Sequence, residues 1–206
     1  MRQFWTVMFA ATLLASACDT VPEPAPTALS EDEFERLVTL AQVPDNPFRE
    51  EQNLTRILQR PELDTDQRLR VLGMRAAVRS ATAANLVGAI ADYEQMVRIA
   101  PYGHRLAKVA ADEKVYSETQ KGYIDRRIAA GPAGNPVQYF NDLMQLGRHA
   151  EAASFARASM IDLTAPQAEK LTKAGFLCEG PGYAGRSYRW GGGSSGVHTV
   201  YWCDGR

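Results

Sequence analysis

The stretch DQRLRVLGMRAAVRSATAANLVGAIADYEQMVRIAP, residues 66–101, decides the fold. Its apolar residues do not alternate. They recur three and four apart, which is the period of an α-helix with one buried face. Leu69, Leu72 and Ala76 make one such face, and Leu86, Ala89, Ile90, Tyr93 and Val97 make a second. Asn85 lies between them, where the chain is expected to turn. Two helices joined near Asn85 are expected to fold back on each other, with small alanines at the contact so that the backbones approach closely.

Helix starts recur on both sides of this stretch. Ser30 with Glu33, Asp64 with Gln67 and Thr164 with Gln167 each have the spacing of a capping box, in which two side chains satisfy orphan backbone N–H groups. The first opens a helix running to about Gln42, with Phe34, Leu37, Val38 and Ala41 on one face. A turn at residues 45–47 leads to a second helix carrying Leu54, Ile57 and Leu58 and ending near Pro61. Residues 104–130 read as a long helix or a degenerate pair, and a last helix runs from Thr164 to Gly175. The fold class is mainly α: antiparallel helical hairpins over residues 30–176.

Ala89-Ile90-Ala91-Asp92-Tyr93-Glu94, followed by Pro101, resembles the second helix of a tetratricopeptide repeat. Gly147-Arg148-His149-Ala150-Glu151-Ala152 resembles that family's interhelix turn, with Ala152 and Ala156 at its close-packing positions. The resemblance covers about half of the chain after residue 17 and implies stacked helix pairs with a concave surface for a protein or peptide partner. Met96 stands where that family usually has alanine, and Phe140 where it has a small residue.

At the N-terminus, Arg2 precedes an apolar run over residues 4–14, broken only by Thr6 and Thr12. This is the layout of a secretory signal peptide, and it is shorter than the roughly 18 to 20 residues that span a bilayer. Leu14-Ala15-Ser16-Ala17-Cys18 resembles a bacterial lipobox, which implies cleavage before Cys18 and acylation of its thiol by lipid of the palmitate type. Ala15-Ser16-Ala17 also satisfies the ordinary signal peptidase, which would cut the same bond and leave a soluble periplasmic protein with a free Cys18. Residues 19–27 carry Pro22, Pro24 and Pro26 among polar and small neighbours, a composition that stays extended and acts as a tether. The expected organisation is a signal peptide over 1–17, a lipidated N-terminus and tether over 18–29, the helical domain, and a tail over 177–206. The location implied is the cell envelope, facing the periplasm, with inner and outer membrane both open.

The tail is dominated by Gly, Ser, Tyr and Trp. Residues 187–190 and 197–202 are strand candidates around a glycine-rich turn, so a small β-hairpin is expected. With Cys18 taken by lipid, Cys178 and Cys203 are the only pair left. A disulfide between them is the expected staple, since there is no C-x-x-C and His198 is a lone nearby metal ligand. Tyr188, Trp190, Tyr201 and Trp202 are the candidate binding residues. Flat rings with polar edges suit a glycan or peptide, and they equally suit cross-strand packing.

Reaction chemistry is not expected. Lys and Arg number 23 against 24 Asp and Glu, a net charge of -1 with no basic face, which argues against a nucleic-acid partner. Gly192-Gly193-Ser194-Ser195-Gly196 fits G-x-S-x-G by letters, without the strand and helix that a nucleophile elbow needs. His104, His149 and His198 read as surface or turn residues, and the carboxylates as solvated partners of helix-face arginines. No cofactor or metal is expected. The function expected is that of a non-enzymatic envelope lipoprotein acting as a protein-interaction scaffold. The alternative is a module that binds cell wall, peptidoglycan above all, or a glycan or peptide through the tail aromatics.

Overall fold

The computed structural model describes residues 28–81, 85–180, 185–189 and 197–203. Within them lie eight helices packed as sequential pairs: α1 Glu31–Ala41, α2 Pro47–Leu58, α3 Thr65–Ala81, α4 Leu86–Ile99, α5 Arg105–Ala130, α6 Pro136–Gln145, α7 His149–Ala158 and α8 Ala165–Lys173. A small antiparallel sheet follows, formed by β1 Leu177–Glu179, β2 Arg186–Arg189 and β3 Val197–Trp202 in the order β1-β3-β2.

The caps explain where the helices start. Ser30 Oγ accepts from Glu33 N at 3.4 Å. Asp64 and Gln67 bond reciprocally, at 2.8 and 3.3 Å, and Thr164 N donates to Gln167 Oε1 at 2.9 Å. Asn46, Asn85 and Asn135 cap α2, α4 and α6 through their side-chain oxygens. Each cap satisfies a donor that the helix itself leaves orphaned, which is worth about 1 kcal/mol.

Three clusters form the core. Phe34, Val38 and Ala41 of α1 pack with Leu54 and Ile57 of α2 and Val71 of α3. Leu69, Leu72 and Ala76 of α3 meet Ala89, Tyr93 and Met96 of α4 and Ala110 of α5. The face expected to include Val97 uses Met96 instead, and Val97 is 44% exposed. Met96 lies over Gly73, where a Cβ would stand in ordinary contact 3.4 Å from Met96 Cε. The largest cluster joins Ile124 and Ile128 of α5 with Phe140, Leu143 and Met144 of α6, the alanines of α7, Leu171 of α8, and Leu177 and Val200 of the sheet. Residues 104–130 are thus one helix, α5, which bridges the second cluster to the third.

The chain closes on itself. Asn46, the cap of α2, donates from Nδ2 to Glu169 Oε2 of α8 at 2.8 Å across 123 residues, with both side chains buried. The expected hairpin forms from β2 and β3, and β1 joins its other edge to make a three-stranded sheet. β3 is central, pairing antiparallel with β1 through Cys178↔Tyr201 and with β2 through Ser187↔Thr199. Gly185 is needed at the entry to β2, because a Cβ would lie 2.6 Å from Thr199 Cγ2 and 3.0 Å from Val200 O.

Candidate functional site

The disulfide forms between Cys178 of β1 and Cys203 just beyond β3, with Cα atoms 5.2 Å apart. It ties the outer strand β1 to the end of the central one. A disulfide of this kind indicates an oxidising, extracytoplasmic compartment. Among the described residues, no helix is long and apolar enough to cross a membrane. Cys18 and Trp190 lie outside the described residues, as do the whole G-x-S-x-G segment and most of the tail's other glycines.

Tyr188, Tyr201 and Trp202 come together on one groove. Along β3 the side chains alternate, so Val200 and Trp202 face the helices while Tyr201 turns outward and is 40% exposed. Tyr188 and Trp202 pack against the largest core cluster. Their other edges line a cleft of about 320 Å³ between the sheet and the end of α7, where Arg157, Met160, Ile161 and Leu163 form the opposite wall. A second cleft, of about 470 Å³, continues on the far side of Trp202 over Ala150, Ala153, Ser154 and Phe176. The two share Arg157 and Trp202.

The floor is open because α7 is rich in alanine there, and short side chains leave room above the helix. Arg186 and Asp162 form an ion pair at the mouth. Met160 protrudes, 85% exposed, and is the one non-glycine residue at positive φ (52°) among the described residues. That conformation costs about 1 to 2 kcal/mol in an L-residue. The helix-side wall was missed by sequence reasoning. Its only local signal is an apolar pair, Met160-Ile161, sitting after the end of α7 and before the Thr164 cap.

A second concentration of polar groups lies inside the helical domain. Arg75 of α3 grips Asp92 of α4 with two bonds, Nε to Oδ2 at 3.0 Å and a second guanidinium nitrogen to Oδ1 at 2.7 Å. Arg79 bonds Asp92 Oδ2 and Glu51 Oε1, each at 2.8 Å, and Asn85 Nδ2 also donates to Glu51 Oε1. Asp92 retains 3% of its side-chain exposure and Glu51 10%. These carboxylates are therefore not solvated helix-face acids as expected. They are buried and held by arginines, because two charges leaving water together need each other's hydrogen bonds. The same fork recurs one pair later, where Arg127 of α5 holds Asp142 of α6 at 2.7 and 2.8 Å. Burial pushes the Asp142 pKa up, but hydrogen bonds from Arg127 and Gln138 outweigh it and leave the carboxyl below its ordinary value.

The histidines divide. His104 caps α5, its Nδ1 accepting from Leu106 N at 3.2 Å, and His198 lies 3.4 Å from Glu179. His149 is neither a solvated surface residue nor a capped turn. Its Nε2 is buried without a hydrogen bond, as is Oε2 of Glu51. Burial first, and then the charge of Lys170, hold the His149 pKa below its ordinary value, with Glu51 opposing. Lys170 of α8 is itself buried, and desolvation lowers its pKa against the pull of Glu51. Among the described residues, no group of three or more His, Cys, Asp or Glu side chains is placed to hold a metal ion.

No family model matches the chain, and no curated protein or solved structure matches it. Both oxygens of Asp92 and of Asp142 are occupied by arginine. The groove is accessible, largely apolar, edged by phenol and guanidinium groups, and within the size range of ligand pockets.

Proposed function

We propose that this protein is a non-enzymatic binding protein of the bacterial cell envelope, anchored by lipid at Cys18, that holds an extended segment of a protein partner in the groove between α7 and the sheet. The observation that carries this reading is the pair of clefts meeting at Trp202 and Arg157. Together they form a track with an alanine floor and aromatic walls, long enough for several extended residues at about 3.3 Å each. Exposed methionine and tyrosine at the rim are the adaptable and rigid contacts that peptide surfaces favour.

The tetratricopeptide likeness supports the same reading. Ala76 and Ala89 lie at the α3–α4 contact, and Ala152 and Ala156 are buried in the core cluster that α6 and α7 share. The lipobox-like Ala15-Ser16-Ala17-Cys18, the proline tether and the oxidising compartment indicated by the disulfide support the anchor. The engaged state of the Asp92 and Asp142 carboxylates supports a role without catalysis.

The test is a photo-cross-linking residue at Met160 in the full-length chain, in cells of the native host. A single protein partner captured at that position, and lost with Tyr201→Ala, is the expected result. If nothing is captured and the protein is instead retained on isolated peptidoglycan in a Tyr201-dependent way, the groove is a glycan site. Deleting the tail is unsuitable as a test, because Leu177, Val200, Tyr188 and Trp202 belong to the main core. For the anchor, mass spectrometry of the mature N-terminus should find an acylated Cys18, and Cys18→Ser should abolish it.

A further inference from the structure

The outer face of α5 is not used by the groove, and it carries a pattern of charge complementary to its own reverse. With 26 residues α5 is about 39 Å long, whereas its neighbour α6 has 10 and reaches only the C-terminal end, where Arg127 meets Asp142. One stripe of α5 is buried, along Ala110, Ser117, Ile124 and Ile128. Beside it runs an exposed stripe at seven-residue spacing: Val109 at 48%, Tyr116 at 60% and Tyr123 at 57%. Seven residues is two turns, so the three side chains line up along one side of the helix.

Charges flank this stripe asymmetrically along the helix. Asp112 and Glu113 lie one turn before Tyr116, and Arg126 and Arg127 one turn after Tyr123. About a point between Thr119 and Gln120, position 112 mirrors 127, 113 mirrors 126, and 116 mirrors 123. We infer that α5 is a self-association surface, and that its occupant is α5 of a second copy of this chain packed antiparallel across a two-fold axis at that point.

The geometry follows from helix periodicity. In an antiparallel pair related by a two-fold axis, each flank of one helix meets the same flank of the other. At 100° per residue Asp112 and Arg126 fall on one flank of the tyrosine stripe, and Glu113 and Arg127 on the other. Tyr116 therefore meets Tyr123 of the second copy and Asp112 meets its Arg126, each twice, while Arg127, already held by Asp142, adds only its positive charge near Glu113. A foreign partner would need this pattern reversed; a second copy carries it necessarily.

The contact is also pre-organised. Gln120 Nε2 donates to Tyr116 Oη at 2.8 Å, and the Arg126 guanidinium lies 4.6 Å from the centre of the Tyr123 ring, so both phenols are held before any partner arrives. A single helical face buries less than the roughly 800 Å² per partner of a standard interface, so the association is weak and its charges set register more than affinity.

The experiment uses the full-length chain with a photo-cross-linking residue in place of Tyr116. The expected product is a species of twice the chain mass, joined through a peptide containing Tyr123 of the other copy. Asp112→Arg places like charges opposite each other and should lower the yield about 10-fold, as should Arg126→Glu. The double charge swap Asp112→Arg with Arg126→Glu should restore it, which separates lost pairing from lost folding. A cross-link to a different protein overturns the inference, as does the absence of a doubled species or a yield indifferent to the single reversals.

Discussion

The seam between α2, α3 and α4 and the junction of α7 with the sheet are both interior contacts, yet they are built from opposite materials. The seam is held by charge: Asp92 is gripped by Arg75 and Arg79, and Glu51 takes bonds from Arg79 and Asn85 on one oxygen while its other oxygen stays buried without a partner. The junction is held by alanines, aromatic rings and a disulfide, and leaves a groove open along its surface. Architecture and function are separated by what each contact leaves uncovered. Charges paired with one another inside the protein position helices; apolar surface left uncovered beside polar edges is available to a ligand.

The hardest test of that contrast is Asp92→Ala. It strands two buried guanidinium groups, so a loss of about 3 to 5 kcal/mol is expected in urea unfolding. Asp142→Ala removes the equivalent fork, but Arg127 keeps half of its side-chain exposure and can turn to water. About 1 to 3 kcal/mol is expected there. Equal losses at the two sites would mean that burial of the arginine does not set the cost, and the contrast would fail.

Next comes the staple. Cys178→Ser with Cys203→Ser removes a link spanning 25 residues and should cost about 2 to 4 kcal/mol in the non-reduced protein. Amide hydrogen exchange should report the loss first in β1 and β3, leaving α3 and α4 protected. Protection lost evenly along the chain would show that the sheet is not a separable element.

The groove rim should behave in the opposite way. Tyr201→Ala is expected to change stability by no more than about 0.5 kcal/mol, as an outward-facing side chain does, while weakening capture of the partner about 10-fold. A thermal melt and a cross-linking yield measured on the same preparation separate the two effects.

Those expectations also show which parts of the molecule can be read from a sequence. Helix starts are legible because a cap is local: Asp64 and Gln67, three residues apart, contain all the chemistry of their bond. Strands β2 and β3 are legible from composition, but β1 is three residues long and starts just after Gly175 and Phe176, too short to show a period. Disulfide pairing follows from counting. The buried forks are invisible, because Asp92 inside the seam and a solvated aspartate on a helix face have the same neighbours in sequence. The contact of Asn46 with Glu169 is equally hidden, since it forms across 123 residues only once the helix pairs have turned the chain back on itself. The groove has one wall in a recognisable aromatic tail and the other in an ordinary-looking stretch about forty residues earlier, so half of the site could be named and half could not.

The smallest expected effect is the most specific, because it falls where seam and junction touch. His149 begins α7, and it faces Lys170 from α8 and Glu51 from α2. With its pKa held below the ordinary 6.5, the folded protein keeps this imidazole neutral at a pH where the unfolded chain already protonates it. The unfolded state then binds more protons, so stability is complete above pH about 6.5 and declines as the pH falls toward the folded value. Asp142 acts in a separate window. Its lowered pKa contributes stability that is present above the ordinary 3.8 and lost only as the pH falls through the folded value. Urea midpoints between pH 8 and pH 3 should therefore fall in two steps, and His149→Phe should remove the mild-acid step while leaving the strong-acid one. If the mild-acid step persists in that variant, the proton is taken up elsewhere, and the closure of α7 and α8 on α2 is not its sensor.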